Sequence, residues 1–285
     1  MIAAVLASST TDFRLVWQGW LLPATLSAAF LLLALFYERI RRVDDGRIAE
    51  TLHETAILIA YGPPAAAVSY LILAPALPLQ DQLFTAIDAA LGFSWLDWHA
   101  WVQSRPGVES VLAFFYASSL PHIAVLLIFT GLTGRTNRSR ELNALLIATS
   151  LPIVMISGLV PAAGALAHHG VALEKAVHLA HFEGLREGVF RVIDPRQLEG
   201  IITFPSFHTA IALILVWVAR GLPIVFWPTV VLAAGQLVSI PTEGGHYLVD
   251  MLGGATITIA AIALLRHPRP PGPSAPTSRA GRPSS

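Results

Sequence analysis

The sequence predicts an all-α membrane protein, a polytopic bundle of about six to seven transmembrane helices, and three observations predict it. Of its 285 residues 54% are hydrophobic and only 13% charged, whereas a soluble domain carries about a quarter charged residues. Several stretches of about 20 residues lack charge and are long enough to cross a bilayer core. None alternates polar and apolar residues as barrel strands do, and lipid offers no partner to an open sheet edge.

In chain order the apolar runs fall at 16–37, 54–77, 109–132, 142–166, 207–226, 227–242 and 247–265. The sixth is short, and "GLPIVFWP" allows only a tight turn between it and the fifth. Residues 1–266 therefore read as one membrane-embedded domain. The tail, 267–285, is rich in Pro, Ser and Gly and is expected to be disordered and cytoplasmic. The opening "MIAAVLASST" has no charged region ahead of its apolar run and does not read as a cleaved signal peptide.

Sidedness follows from the basic residues. Placing connections on alternate sides groups Arg39, Arg41, Arg42, Arg47, Arg135, Arg138, Arg140, Arg220, Arg266, Arg269, Arg279 and Arg282 together. The other side receives Arg14, Arg105, Lys175, Arg186, Arg191 and Arg196. The richer side is expected to be cytoplasmic. The outer face then carries two long loops, 78–107 and 167–206. In the first, Trp95, Trp98 and Trp101 recur every third residue, as suits a helix lying at the headgroup level. A net charge of zero gives no reason to expect nucleic-acid binding, and the absence of cysteine excludes disulfide and thiolate chemistry.

Two short motifs carry the chemistry. In "TFPSFHTA" (203–210), Ser206 can cap a helix whose first-turn N–H groups favour an anion, with His208 in that turn. In "EGGHYLVDMLGG" (243–254), Gly244 and Gly245 let the backbone approach a ligand closely. His246 and Asp250, four apart, can share a helix face, so that the carboxylate fixes the imidazole tautomer and makes the other nitrogen a nucleophile or base. A carboxylate inside an apolar span is costly and marks a functional position by default. Arg186 and Arg191 lead up to the first motif, and guanidinium groups bind phosphate oxygens in a bidentate fork. Together these residues describe a phosphoryl-transfer site. His246 attacks phosphorus, Asp250 orients it, His208 protonates the leaving oxygen, and Arg186, Arg191, Ser206 and Gly245 hold the phosphate.

"PSFH" followed by "HYLVD" resembles the second and third signatures of the type 2 phosphatidic-acid phosphatase superfamily, written PSGH and SR-x5-H-x3-D. The wording is most similar to the branch containing inositol phosphorylceramide synthases and many bacterial phosphatases. The motifs that carry the resemblance lie within 203–254. It implies His246 as nucleophile, Asp250 as its partner and His208 as general acid, a lipid phosphate as substrate, and no metal or other cofactor. It also implies a bacterial-type cytoplasmic membrane with the site facing the periplasm or exterior. The chain departs from the signatures at Ile240, where an arginine is expected, and at Phe207, where glycine is expected. No K-x6-RP first signature is present, and Arg186 and Arg191 are its nearest substitutes.

Three rival activities remain open. The phosphohistidine could be intercepted by a lipid alcohol rather than water, making a phosphotransferase. His168, His169, His178 and His181 crowd the outer loop near Glu183 as if to hold a metal, although no H-E-x-x-H pattern occurs. A lipid or anion transporter would use the His–Asp pair as a proton relay, but the spans lack paired broken halves.

Overall fold

The computed structural model describes residues 12–41, 46–171 and 177–266. The tail, 267–285, and the loop residues Lys175 and Glu174 lie outside the described residues. The described chain is an all-α polytopic bundle with one two-residue strand pair, β1 (Arg14–Leu15) beside β2 (Val192–Ile193) in parallel. That pair ties the entry to the first span onto the long loop before the first histidine motif, through Arg14 N–H to Arg191 O at 2.8 Å.

α1 (Gln18–Phe36) and α2 (Arg47–Leu73) are the first two long helices. Two short helices follow, α3 (Asp81–Ala90) and α4 (Trp95–Gln103). α5 (Pro106–Ala117) and α6 (Ser119–Leu132) form one run bent by 44°. The bend falls where Pro121 withholds an N–H from the turn before it. α7 (Thr136–Leu159) leads into the long loop, which contains α8 (Ala165–His168) and α9 (Val177–Arg186). α10 (Phe207–Ala219), α11 (Pro223–Glu243) and α12 (Leu248–Arg266) complete the bundle.

Among the described residues, five helices are long and apolar enough to cross a membrane, or six if the bent α5–α6 pair counts as one span. The boundary expected at 226/227 lies earlier. Gly221 at φ +74° ends the turn after α10, and Pro223 opens α11 at a position where no N–H is needed. The fifth run is thereby cut to 13 residues, about 20 Å at 1.5 Å per residue, while the sixth grows to 21. α10 is nonetheless central. Ala210, Ala212, Ile214, Leu215, Val218 and Ala219 are all fully buried, and a helix apolar on every side belongs inside a bundle. It packs with Leu142, Leu145, Ile153 and Leu126 of α7 and α6. Enclosed by protein, it does not have to match the bilayer thickness. The irregular segment before it is tolerated at that depth for the same reason, since Ile201, Thr203 and Ser206 are buried.

Close contact between helices comes from small residues, as it must where lipid is as apolar as leucine. A Cβ at Gly158 would lie 2.1 Å from Ile72 Cγ2, and one at Gly235 would lie 2.4 Å from the Phe115 ring. Outward faces carry large apolar side chains instead, including Leu22, Leu32, Val125, Leu159 and Ile259.

The two ends of the bundle differ in chemistry. At one end Glu141 accepts from Arg138 at 2.8 Å, Arg220 at 2.6 Å and Trp217 Nε1 at 2.8 Å. Arg140 pairs with Glu50 there, and the Arg266 guanidinium lies 3.9 Å from the Trp217 ring centroid. At the other end lie α3 and α4, the long loop and both histidine motifs. The tryptophans of α4 divide their work in a way the three-residue spacing does not suggest. Trp101 is exposed, but Trp95 is buried and donates its indole N–H to Pro241 O at 2.7 Å. A buried indole N–H needs an acceptor, and the end of α11 offers free carbonyls. Trp95 therefore anchors α4 to the bundle rather than to lipid.

Candidate active site

The second motif begins as α11 ends. Gly245 has φ +62°, a left-handed conformation that glycine adopts without strain, and this turns the chain back toward the bundle. Its carbonyl accepts from Ala165 N–H at 2.7 Å. At Gly244 a Cβ would lie 2.6 Å from the His246 ring and 2.9 Å from the Tyr116 hydroxyl. The close backbone approach that the two glycines permit is thus toward the imidazole itself.

His246 and Asp250 meet, although not as two residues on one helix face. α12 starts only at Leu248, so His246 stands in the turn before it and Asp250 in the first turn. Asp250 Oδ2 accepts from Tyr247 N–H at 2.9 Å, the reach-back of an acidic residue in a first turn to the residue that caps it. The same oxygen lies 3.3 Å from His246 Nδ1. Both side chains are buried, and Asp250 Oδ1 is buried with no hydrogen-bond partner. With Nδ1 committed to the carboxylate, Nε2 is the imidazole nitrogen left for chemistry.

The first motif packs directly onto this turn. Ser206 accepts Thr209 N–H at 3.3 Å through its hydroxyl, as the cap of α10. Its own N–H donates to Asp250 O at 2.9 Å. Gly254, one turn into α12, lies so close that a Cβ there would sit 2.1 Å from Ser206 O. His208 occupies the first turn of α10, its ring centroid 6.3 Å from that of His246 and the planes at 65°. Tyr116 of α5 stacks on His208 at 4.4 Å, with its hydroxyl 3.3 Å from Nδ1. Gln236 donates to His208 O at 3.2 Å.

His246, Asp250, His208, Ser206 and Gly245 are therefore gathered at one end of the bundle. The two arginines differ. Arg186, at the end of α9, lies over the Phe182 ring at 5.5 Å and has Nη1 buried without a partner. Burial lowers its pKa and nearby Asp81 opposes that. The Arg191 guanidinium lies 5.0 Å from the Phe13 ring and reaches Leu185 O at 3.4 Å, so its contacts are with the N-terminal segment and α9. Ile240, fully buried, stands where the third signature expects arginine. Among the described residues, no group of three or more His, Asp or Glu side chains is placed to hold a metal ion.

Two carboxylates of α3, outside both histidine motifs, also hold the site. Asp88 accepts from Leu248 N–H at 2.7 Å and Val249 N–H at 3.0 Å, capping α12 from another helix. Burial raises its pKa, and those two donors pull it back. Asp81 accepts from Gly164 N–H at 2.9 Å and Ala163 N–H at 3.0 Å, and from the Tyr247 hydroxyl at 3.1 Å. Burial and Asp81 both keep that phenol protonated above the ordinary tyrosine range.

A family model of the PAP2 superfamily matches residues 82–264. The match begins in α3, so it takes in Asp88 as well as both histidine motifs. No curated protein and no solved structure matches the chain.

Proposed function

The chain belongs to the PAP2 superfamily, and from that premise we propose that it is a membrane enzyme hydrolysing a lipid phosphate or diphosphate through a phosphohistidine at His246. Membership supports a lipid phosphatase or phosphotransferase type of function in general. The observation that carries the finer reading is the His246–Asp250 contact at Nδ1, which leaves Nε2 free beside His208. In the first step Nε2 bonds to phosphorus, the phosphorus–oxygen bond to the lipid breaks, and His208 gives its proton to the departing oxygen. Asp250 offsets the positive charge that develops on His246. In the second step water, relieved of a proton by His208, attacks phosphorus and the nitrogen–phosphorus bond breaks.

The sidedness of the basic residues supports placing the site on the periplasmic or outer face of a bacterial-type cytoplasmic membrane. A lipid phosphate reaches such a site with its chains still in the bilayer.

Transfer to an alcohol, as in the inositol phosphorylceramide synthases that the motif wording resembles, is the second reading. A hollow of about 370 Å³ beside Tyr247 supports it, because its walls at Phe93, Trp95 and Leu96 are mostly apolar, with Ser94 and His169 at its edge, a lining suited to a lipid alcohol.

The test is purified protein with a panel of phosphatidic acid, phosphatidylglycerol phosphate, polyprenyl diphosphate, and phosphatidylinositol with ceramide. Products are read by mass spectrometry, with and without EDTA. Free phosphate that survives EDTA is the expected result. A new phosphodiester lipid would move the assignment to transferase, and intact lipid throughout would return it to binding or transport.

A further inference from the structure

Given the phosphohistidine reading above, we propose that the Tyr116 hydroxyl donates a hydrogen bond to the phosphoryl group on His246, so that α5 supplies a phosphate contact. The backbone at Gly244, φ −96° and ψ −5°, matches the third position of a type I turn, which most residues can occupy. Glycine is therefore not needed there for the turn, as it is at Gly245. What the position cannot hold is a side chain. A Cβ would lie 2.6 Å from His246 Cδ2, 3.1 Å from His246 Nε2 and 2.9 Å from the Tyr116 hydroxyl. Gly244 thus keeps open the space between the phenol and the imidazole edge that carries Nε2.

The same distances bound that space. Nε2 and the hydroxyl flank one point, so they are no farther apart than 3.1 Å and 2.9 Å laid end to end. A phosphoryl oxygen on Nε2 stands two covalent bonds out, and an O–H···O bond of about 2.7 Å carries the rest of the way. Both groups are free for this. His246 meets Asp250 through Nδ1, and the Tyr116 hydroxyl lies 3.3 Å from His208 Nδ1. A phenol donates one hydrogen bond and still accepts. With its proton on the phosphoryl oxygen, it can accept Nδ1–H of His208, which leaves His208 Nε2 to pass a proton to the leaving oxygen.

Tyr116 is firmly seated. Its ring stacks on His208 at 4.4 Å and 26°. Its neighbour Phe115 packs on α11 at Gly235, where a Cβ would lie 2.4 Å from the ring. α5 is thereby clamped to the helix that ends beside Gly244. On α11 itself, one turn before Gly244, stands the fully buried Ile240, whose side chain has no donor. Charge developing on phosphoryl oxygens is stabilised by donors already in place, and α5 brings one to the spot.

The experiment uses the full chain in lipid nanodiscs, with orthovanadate as the phosphate probe. Tyr116→Phe keeps the stacked ring and removes only the hydroxyl. It is expected to lower kcat/KM for the lipid phosphate, and to raise the orthovanadate concentration for half inhibition, by about tenfold or more. The melting temperature without ligand should stay within about 2 °C of wild type. Unchanged kcat/KM and vanadate sensitivity would overturn the proposal. So would a fall in melting temperature with no selective loss of vanadate affinity, the mark of a structural role. Stabilisation by orthovanadate, read by melting, needs no turnover and so decides the contact even if no lipid phosphate is hydrolysed. A stabilisation that shrinks in Tyr116→Phe upholds it, and equal stabilisation of both proteins, or of neither, overturns it. The same comparison in a His208→Ala background separates a direct contact from an effect relayed by His208. Vanadate affinity should still fall when the hydroxyl is removed, and equal affinities there would overturn the proposal.

Discussion

His246→Ala is expected to lower turnover of the lipid phosphate by about 10⁴-fold or more while the protein still folds and inserts, because a group that forms the covalent intermediate has no substitute at the site. Asp250→Asn should fall by a comparable order, since an amide can neither enforce the imidazole tautomer nor offset its charge. The two variants differ in their structural risk. Removing the imidazole leaves a buried carboxylate with Tyr247 N–H as its remaining hydrogen bond, so His246→Gln, which can still donate toward Oδ2, guards against a loss that is merely one of folding. Rates per folded molecule, normalised by size-exclusion chromatography of each variant, supply the check. Wild-type rates in both His246 variants would remove the residue from the mechanism.

The second large effect is expected at a residue that never touches substrate. Asp88→Ala takes both acceptors away from the half-buried Leu248 and Val249 N–H groups at once. Each bond to a charged acceptor contributes about 1.5–3 kcal/mol, so losing the two together costs about 3 kcal/mol at the lower end, the end that half-buried donors favour. A net loss of about 3 kcal/mol would appear as a fall of roughly 10 °C in melting temperature for a chain of this size. Because those N–H groups lie between His246 and Asp250 in sequence, loosening them also disturbs the contact between that pair, so kcat should fall with stability. Asp88→Asn keeps one acceptor and should fall between the two. A melting temperature within about 1 °C of wild type in Asp88→Ala would show that the cap is not holding the helix.

Much of this architecture is legible in the residues. Charge-free runs near bilayer length mark all the long helices, and a Pro-Ser-x-His turn ahead of an apolar run marks the start of α10. The pairing of His246 with Asp250 follows from their spacing, but its geometry does not. The left-handed Gly245 and the late start of α12 replace a shared helical face by a reach-back to the capping residue. The length of α10 is hidden for a similar reason. Apolar residues run on through Leu222 to Phe226, and Gly221 with Pro223 cuts the helix where hydrophobicity alone would continue it. The positions of Asp81 and Asp88 were beyond local reading. Their value lies in backbone N–H groups some 80 and 160 residues away in sequence, and only the packing of α3 across the mouth of the site reveals them. Trp95 makes the same point, since its spacing matches that of the exposed Trp101 and only a carbonyl on α11 distinguishes the two.

The central claim is a phosphoryl group carried on His246 Nε2, and trapping it is the most direct measurement. Wild type and His246→Ala would be mixed with a ³²P-labelled substrate identified from the lipid panel, quenched in base within milliseconds, and digested for mass spectrometry. The account predicts an acid-labile, base-stable label on the peptide containing His246, absent from the variant and discharged by water at the rate of turnover. Label on any other residue, or turnover that persists in the variant without a phosphoenzyme, would contradict it.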